Sequence, residues 1–269
     1  MEIFYLWVAY VLLGVFAGTF AGLLGVGGGL IIVPILAALF TLQGFAPEYL
    51  MQFAVGTSLA TIIFTSLSSM RTHHQHGAVD WPIMLQLSLG ILLGGWLGGV
   101  LALWIGGLAL AGLFGLFELA VAAQMGFGRP PAAHRKPPGW TRNAVAGVVI
   151  GAVSALLGIG GGTLTVPWLV WHHIDVRNAV GTSAACGLPI ALIGALGFIA
   201  VGLGRADLPA GSTGFVYWPA VISISIASVL SAPFGARLAH SMDRARLKKV
   251  FAAFLAVLGL LMIGKSLLR

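Results

Sequence analysis

Residues 18–36 read GTFAGLLGVGGGLIIVPIL, and residues 151–169 read GAVSALLGIGGGTLTVPWL, the same pattern 133 positions further on. In each, an apolar run breaks at a cluster of glycines, resumes briefly and meets a proline, Pro34 or Pro167. The surroundings repeat too. Val55-Gly56-Thr57-Ser58 recurs as Val180-Gly181-Thr182-Ser183, and Trp81-Pro82 recurs as Trp218-Pro219, at offsets of 125 and 137. Three blocks in one order are a duplication. The seam, residues 129–141 (RPPAAHRKPPGWT), has the proline and basic content of a linker. The chain thus divides into a first transmembrane repeat, residues 1–128, that linker loop, and a second transmembrane repeat, residues 142–269.

Of the 269 residues, 59% are hydrophobic and 8% charged. A soluble chain carries roughly a quarter charged residues, so a water-solvated surface is excluded and the solvent is the lipid bilayer. The net charge of +7 does not indicate a nucleic-acid partner. Its cations lie in short clusters between apolar runs, as membrane anchoring requires. Cys186 is the only cysteine and lies within an apolar run, as a small packing residue. The start, Met1-Glu2-Ile3-Phe4, lacks the basic region of a signal peptide and reads as a retained helix.

Two apolar stretches, 29–42 and 161–173, are shorter than the ~20 residues that cross a bilayer. If each continues the helix before it, the chain has eight full helices in two four-helix repeats, and the cations divide eight against six. If the chain reverses at each glycine cluster, they divide eleven against three, with Arg205, Lys265 and Arg269 alone on the poorer side. The second division is the asymmetry that membrane insertion uses. An odd number of segments also turns the second repeat over. The expected fold is an all-α polytopic membrane protein of two inverted five-segment repeats with broken and short helices, both termini outside. The eight-helix arrangement is the alternative.

The glycine clusters are the candidate site: Gly25, Gly27, Gly28 and Gly29 in one repeat, Gly158, Gly160, Gly161 and Gly162 in the other. Glycine this dense does not hold a helix. Unwound backbone at membrane depth must be buried in protein or line a wet cavity. A short helix follows each break, so free amides and a positive dipole end face the break, which is the makings of an anion site. Tight turns needing glycine for sterics alone would give the same pattern. A nucleotide loop would not, for no Lys-Ser/Thr follows. Thr57, Ser58, Thr182 and Ser183, with Thr163 at the start of the second short helix, add hydroxyls to the amides. They could equally bond carbonyls one turn back. Glu118 is the only acid deep in an apolar segment, where a charged carboxylate costs about 3 kcal/mol. It should face the bundle or be protonated, and is the candidate for proton coupling. The histidine pairs and triplets (His73, His74, His76; His172, His173) lack metal-ligand spacing. No catalytic constellation or cofactor motif is legible, so an enzyme is not expected.

Two copies of G-x-G-G-G with an apolar run and proline, at Gly25 to Pro34 and Gly158 to Pro167, each followed by A-V-G-T-S at Ala54 to Ser58 and Ala179 to Ser183, resemble the TauE/SafE family of membrane permeases. The resemblance covers nearly the whole chain. It implies a multi-pass plasma (inner) membrane transporter of sulfite, organosulfonates and related sulfur-containing anions, often an exporter. A carrier or channel for another small anion, such as a carboxylate, is the alternative.

Overall fold

The computed structural model describes residues 2–24, 28–128, 139–205, 208–238 and 244–267. Gly25, Gly27 and residues 129–138 of the linker lie outside them. The first half holds α1 (Glu2–Leu24), α2 (Gly29–Leu42), α3 (Leu50–Gln75), α4 (Trp81–Trp104) and α5 (Gly107–Phe127). The second holds α6 (Trp140–Leu157), α7 (Gly162–Trp171), α8 (Val176–Gly202), α9 (Trp218–Leu238) and α10 (Arg244–Leu267). Eight of the helices are long and apolar enough to cross a membrane, and α2 and α7 are the short ones.

Whether the chain reverses at the glycines is answered by two hydrogen bonds. Gln43 Nε2, just past the end of α2, donates to the Tyr10 hydroxyl of α1 at 2.5 Å. A helix continuing through the break would carry Gln43 some tens of ångströms from Tyr10, at 1.5 Å per residue. In the second half Trp168 Nε1 of α7 donates to Asn143 Oδ1 of α6 at 3.2 Å. Both short helices fold back, and each half has five segments.

Residue pairing then gives the relative direction of the halves. Repeat mates α3 and α8 run antiparallel: Gly56 lies against Phe198, Leu59 against Gly194 and Ser66 against Gly187. So do mates α5 and α10, where Gly112 meets Ser266, Gly115 meets Gly259 and Gly126 meets Ala252. The four-helix repeats would run each of these pairs in parallel. The halves are inverted.

Across the halves, α1 packs along α9 and α4 along α6, each pair parallel. Small residues four apart make these contacts. A Cβ placed on Gly90, Gly94 or Gly98 would lie 1.9, 1.9 or 2.3 Å from the carbonyl oxygen of Ala144, Val148 or Ala152. Gly14, Gly18 and Gly235, where an added Cβ would lie 2.7, 2.4 and 2.0 Å from the facing helix, bring α1 and α9 together in the same way. Such spacing lets helix backbones approach in lipid, where packing rather than hydrophobicity joins helices. At the centre stand α3 and α8, with buried Thr57, Ser58, Thr61, Thr182 and Ser183 among their polar residues.

One element departs from the sequence pattern. The apolar stretch that opens the ninth helix begins instead as a hairpin, β1 (Ser212–Thr213) and β2 (Val216–Tyr217). Gly211 and Gly214 adopt φ of +86° and +56°, which lets the chain turn where a periodicity argument sees only hydrophobicity. Phe215 at its tip is fully buried among Tyr49, Phe53 and Phe198.

Candidate functional site

The V-G-T-S motif has a separate task for each residue. Gly56 admits the hairpin backbone: an added Cβ would lie 2.6 Å from Phe215 O. Thr57 Oγ1 accepts from Tyr217 N at 3.1 Å, holding the residue that precedes α9. In the second copy a Cβ on Gly181 would lie 2.3 Å from Ala78 O, and Thr182 Oγ1 accepts from Asp80 N at 2.9 Å, just before α4. Phe215 and Ala78 are repeat counterparts, as are Tyr217 and Asp80, at the Trp81-Trp218 offset of 137. Each threonine thus ties α3 or α8 to the start of the opposite half's fourth helix. Replacing Thr57 or Thr182 by valine would leave a half-buried amide without its partner, at a cost of about 1 kcal/mol. Thermal unfolding of the purified protein should fall accordingly, and Thr57→Ser should restore it.

The serines that follow behave differently from one another. Ser58 Oγ donates to Gly158 O at 2.8 Å. Ser183 Oγ, equally buried, has no hydrogen-bond partner. The glycine breaks meet each other here. A Cβ on Gly29 would lie 2.5 Å from Gly158 O, and one on Gly158 would lie 3.0 Å from Val33 Cγ2 and Val55 Cα. Gly158 itself is left-handed, with φ of +70°, and forms the C-cap of α6.

Gly28 and Gly161 are the N-caps of α2 and α7, and neither helix has a side-chain cap. Their first amides therefore lack intrahelical partners. At 14 and 10 residues, α2 and α7 reach about 21 and 15 Å, roughly two-thirds and half of a ~30 Å hydrocarbon core. Around the second break, the hydroxyls of Ser154, Thr163, Thr165 and Ser183 are buried and unpartnered. A Cβ on Gly161 would lie 2.9 Å from Ser183 O and 3.3 Å from Gly187 N. One on Gly187 would lie 2.6 Å from Ser66 Oγ and 3.8 Å from Gly161 N. The Ser66 hydroxyl and the Gly161 amide nitrogen thus border one point kept open by Gly187.

The structure therefore brings Gly28, Gly29, Gly158, Gly161, Gly162, Thr163, Ser58 and Ser183 into one region, while Thr57 and Thr182 serve the neighbouring loops. Gly160 is buried in the same break. Ser66, Ser154 and Gly187 were not legible as site residues, because single small residues in apolar runs carry no motif. Glu118 of α5 is fully buried and neither carboxyl oxygen has a partner. No lysine or arginine is buried among the described residues. Two apolar clefts, of about 800 Å³ between α6 and α7 and about 490 Å³ between α1 and α9, open elsewhere, and no break glycine lines either.

Inverted halves, paired helix breaks and a buried, cation-free set of hydrogen-bonding groups define a polytopic membrane transporter. The sulfite exporter TauE/SafE family model matches residues 10–262, and the chain belongs to this family. It is 35% identical over 255 residues to a "Probable membrane transporter protein" of Haemophilus influenzae, covering 94% of this chain and 97% of that one. It is 28% identical over 266 residues to a protein of the same description from Methanocaldococcus jannaschii, covering 94% of each. No solved structure matches the chain.

Proposed function

We propose that the protein is a secondary transporter that exports small sulfur-containing oxyanions, such as sulfite or organosulfonates, across the plasma membrane. Its units are residues 1–128 and 142–269, joined by the linker 129–141 on the cytoplasmic side, with both termini outside. The anion binds near the midplane at the broken helices, held by amides of the glycine breaks and by hydroxyls. The observation that carries this reading is the set of buried, unpartnered hydroxyls around Gly158 to Gly162. An unpaired buried hydroxyl costs about 1–3 kcal/mol, so four together favour a polar guest. Three acceptor oxygens on a sulfur centre suit such a cradle.

In the structure described the breaks touch, so a bound anion requires α2 and α7 to part, one break opening toward each side in turn. Glu118 is the proton carrier in this reading, buried with no hydrogen-bond partner among the described residues.

The test is flux in vesicles containing purified protein, screened with sulfite, organosulfonates, thiosulfate, sulfate and small carboxylates under an imposed pH gradient. Sulfite or sulfonate flux should respond to the gradient, fall at least tenfold in Ser183→Ala with Thr163→Val, and lose its gradient dependence in Glu118→Gln. Preferred flux of carboxylates, or unchanged flux in the folded double variant, would overturn this reading.

A further inference from the structure

The two glycine breaks are repeats in sequence but not in chemistry. Around the second stand Ser154, Thr163 and Thr165. Their counterparts 133 positions earlier are Ala21, Leu30 and Ile32. Gly187, which keeps a point open beside the Gly161 amide, corresponds to Ile62 at the 125 offset, and Ser66 corresponds to Ala191. Leu30, Ile32, Ile62 and Ala191 are all buried. The first break is further occupied by the protein itself, because the Gly158 carbonyl lies against Gly29 at the start of α2. A carbonyl there takes the place that a negative guest would fill.

Resting on the oxyanion reading above, we propose that the anion is held at the second break alone, at Gly161, Ser183, Gly187, Ser154 and Thr165 together with Ser66 of α3, and only as a singly charged species. The first break is the apolar seal. The charge limit follows from what the site lacks. Neutral donors stabilise one negative charge, but the cost of taking an ion from water rises with the square of its charge, roughly fourfold for a dianion. A dianion would need a buried cation in compensation, and the described residues bury no lysine or arginine. Singly charged sulfonates and hydrogensulfite fit, whereas sulfate and doubly ionised sulfite do not.

Methanesulfonate and methylphosphonate separate charge from shape. Both are tetrahedral methyl oxyanions, but the sulfonate stays singly charged while the phosphonate takes a second charge as pH rises through neutrality. Vesicles containing the full chain should carry methanesulfonate at least tenfold faster than methylphosphonate at alkaline pH. On the acid side the two rates should converge, with the phosphonate rising and the sulfonate changing little. Gly187→Ala should reduce methanesulfonate binding at least tenfold in protein that remains monodisperse, and Ser154→Ala and Thr165→Val should each weaken it several-fold. Equal transport of the dianion at alkaline pH, or full binding by folded Gly187→Ala, would overturn the inference while leaving transport standing. Movement of neither anion, nor of sulfite, would overturn the oxyanion reading itself and this inference with it.

Discussion

Vesicles carrying Gly158→Val are expected to show less than a tenth of the wild-type anion flux per folded molecule. Three costs coincide at this residue. The backbone is left-handed at φ +70°, which costs an L-residue about 1–2 kcal/mol and a β-branched one more. The new Cβ would press on Val55 Cα and Val33 Cγ2 at 3.0 Å. Relief by backbone rotation would swing away the carbonyl that Ser58 holds at 2.8 Å, unpairing a buried hydroxyl at a further ~1–3 kcal/mol. All three act where α6 ends and the second break begins, so function should fail before folding does. Gly264→Ala, where an added Cβ meets no heavy atom within 4 Å, should match wild type in both flux and unfolding temperature. Wild-type flux from Gly158→Val would remove the second break from the mechanism.

A second substitution should act in the opposite order, on folding first. In Gly94→Leu the Cβ alone would sit 1.9 Å from Val148 O, and the rest of the side chain has no space until α4 and α6 separate. Overpacking of this kind costs about 1–3 kcal/mol when neighbours yield. Here the neighbour is helix backbone, and Gly90 and Gly98 also lie against it one turn either side, at 1.9 and 2.3 Å for an added Cβ. Parting the helices therefore forfeits the whole contact. The detergent-solubilised variant should be aggregated or nearly absent in size-exclusion profiles. A monodisperse variant at wild-type yield would show that the α4–α6 contact does not hold the bundle together.

The fold was legible to the extent that lipid and repetition write themselves into sequence. Two copies of a glycine break, a proline and V-G-T-S gave the duplication, and the cation asymmetry distinguished five segments from four. The Tyr10–Gln43 and Trp168–Asn143 contacts agree with that count. The hairpin at 212–217 was not legible, since its apolar residues face protein as a helix's would, and only Gly211 and Gly214 distinguish it. Within the site, glycine spacing located the breaks, but the fate of each hydroxyl depends on its tertiary neighbour. Ser58 and Ser183 are identical in motif, yet one is bonded to a carbonyl and the other left open. Thr57 and Thr182 look like ligands in sequence because the loops that occupy them lie 160 and 102 residues away.

The long helices α1 and α4 find their glycine-spaced contacts on α9 and α6, in the other half of the chain. A ribosome that has delivered only the first 128 residues has therefore released helices whose notched faces have nothing yet to grip. The early product must wait in the bilayer, loosely assembled, until its younger counterpart arrives upside down and the two clasp. An ancestor encoding a single copy would have faced the same requirement with itself. Such a single copy would need to insert in both orientations for these two notched faces to find their partners.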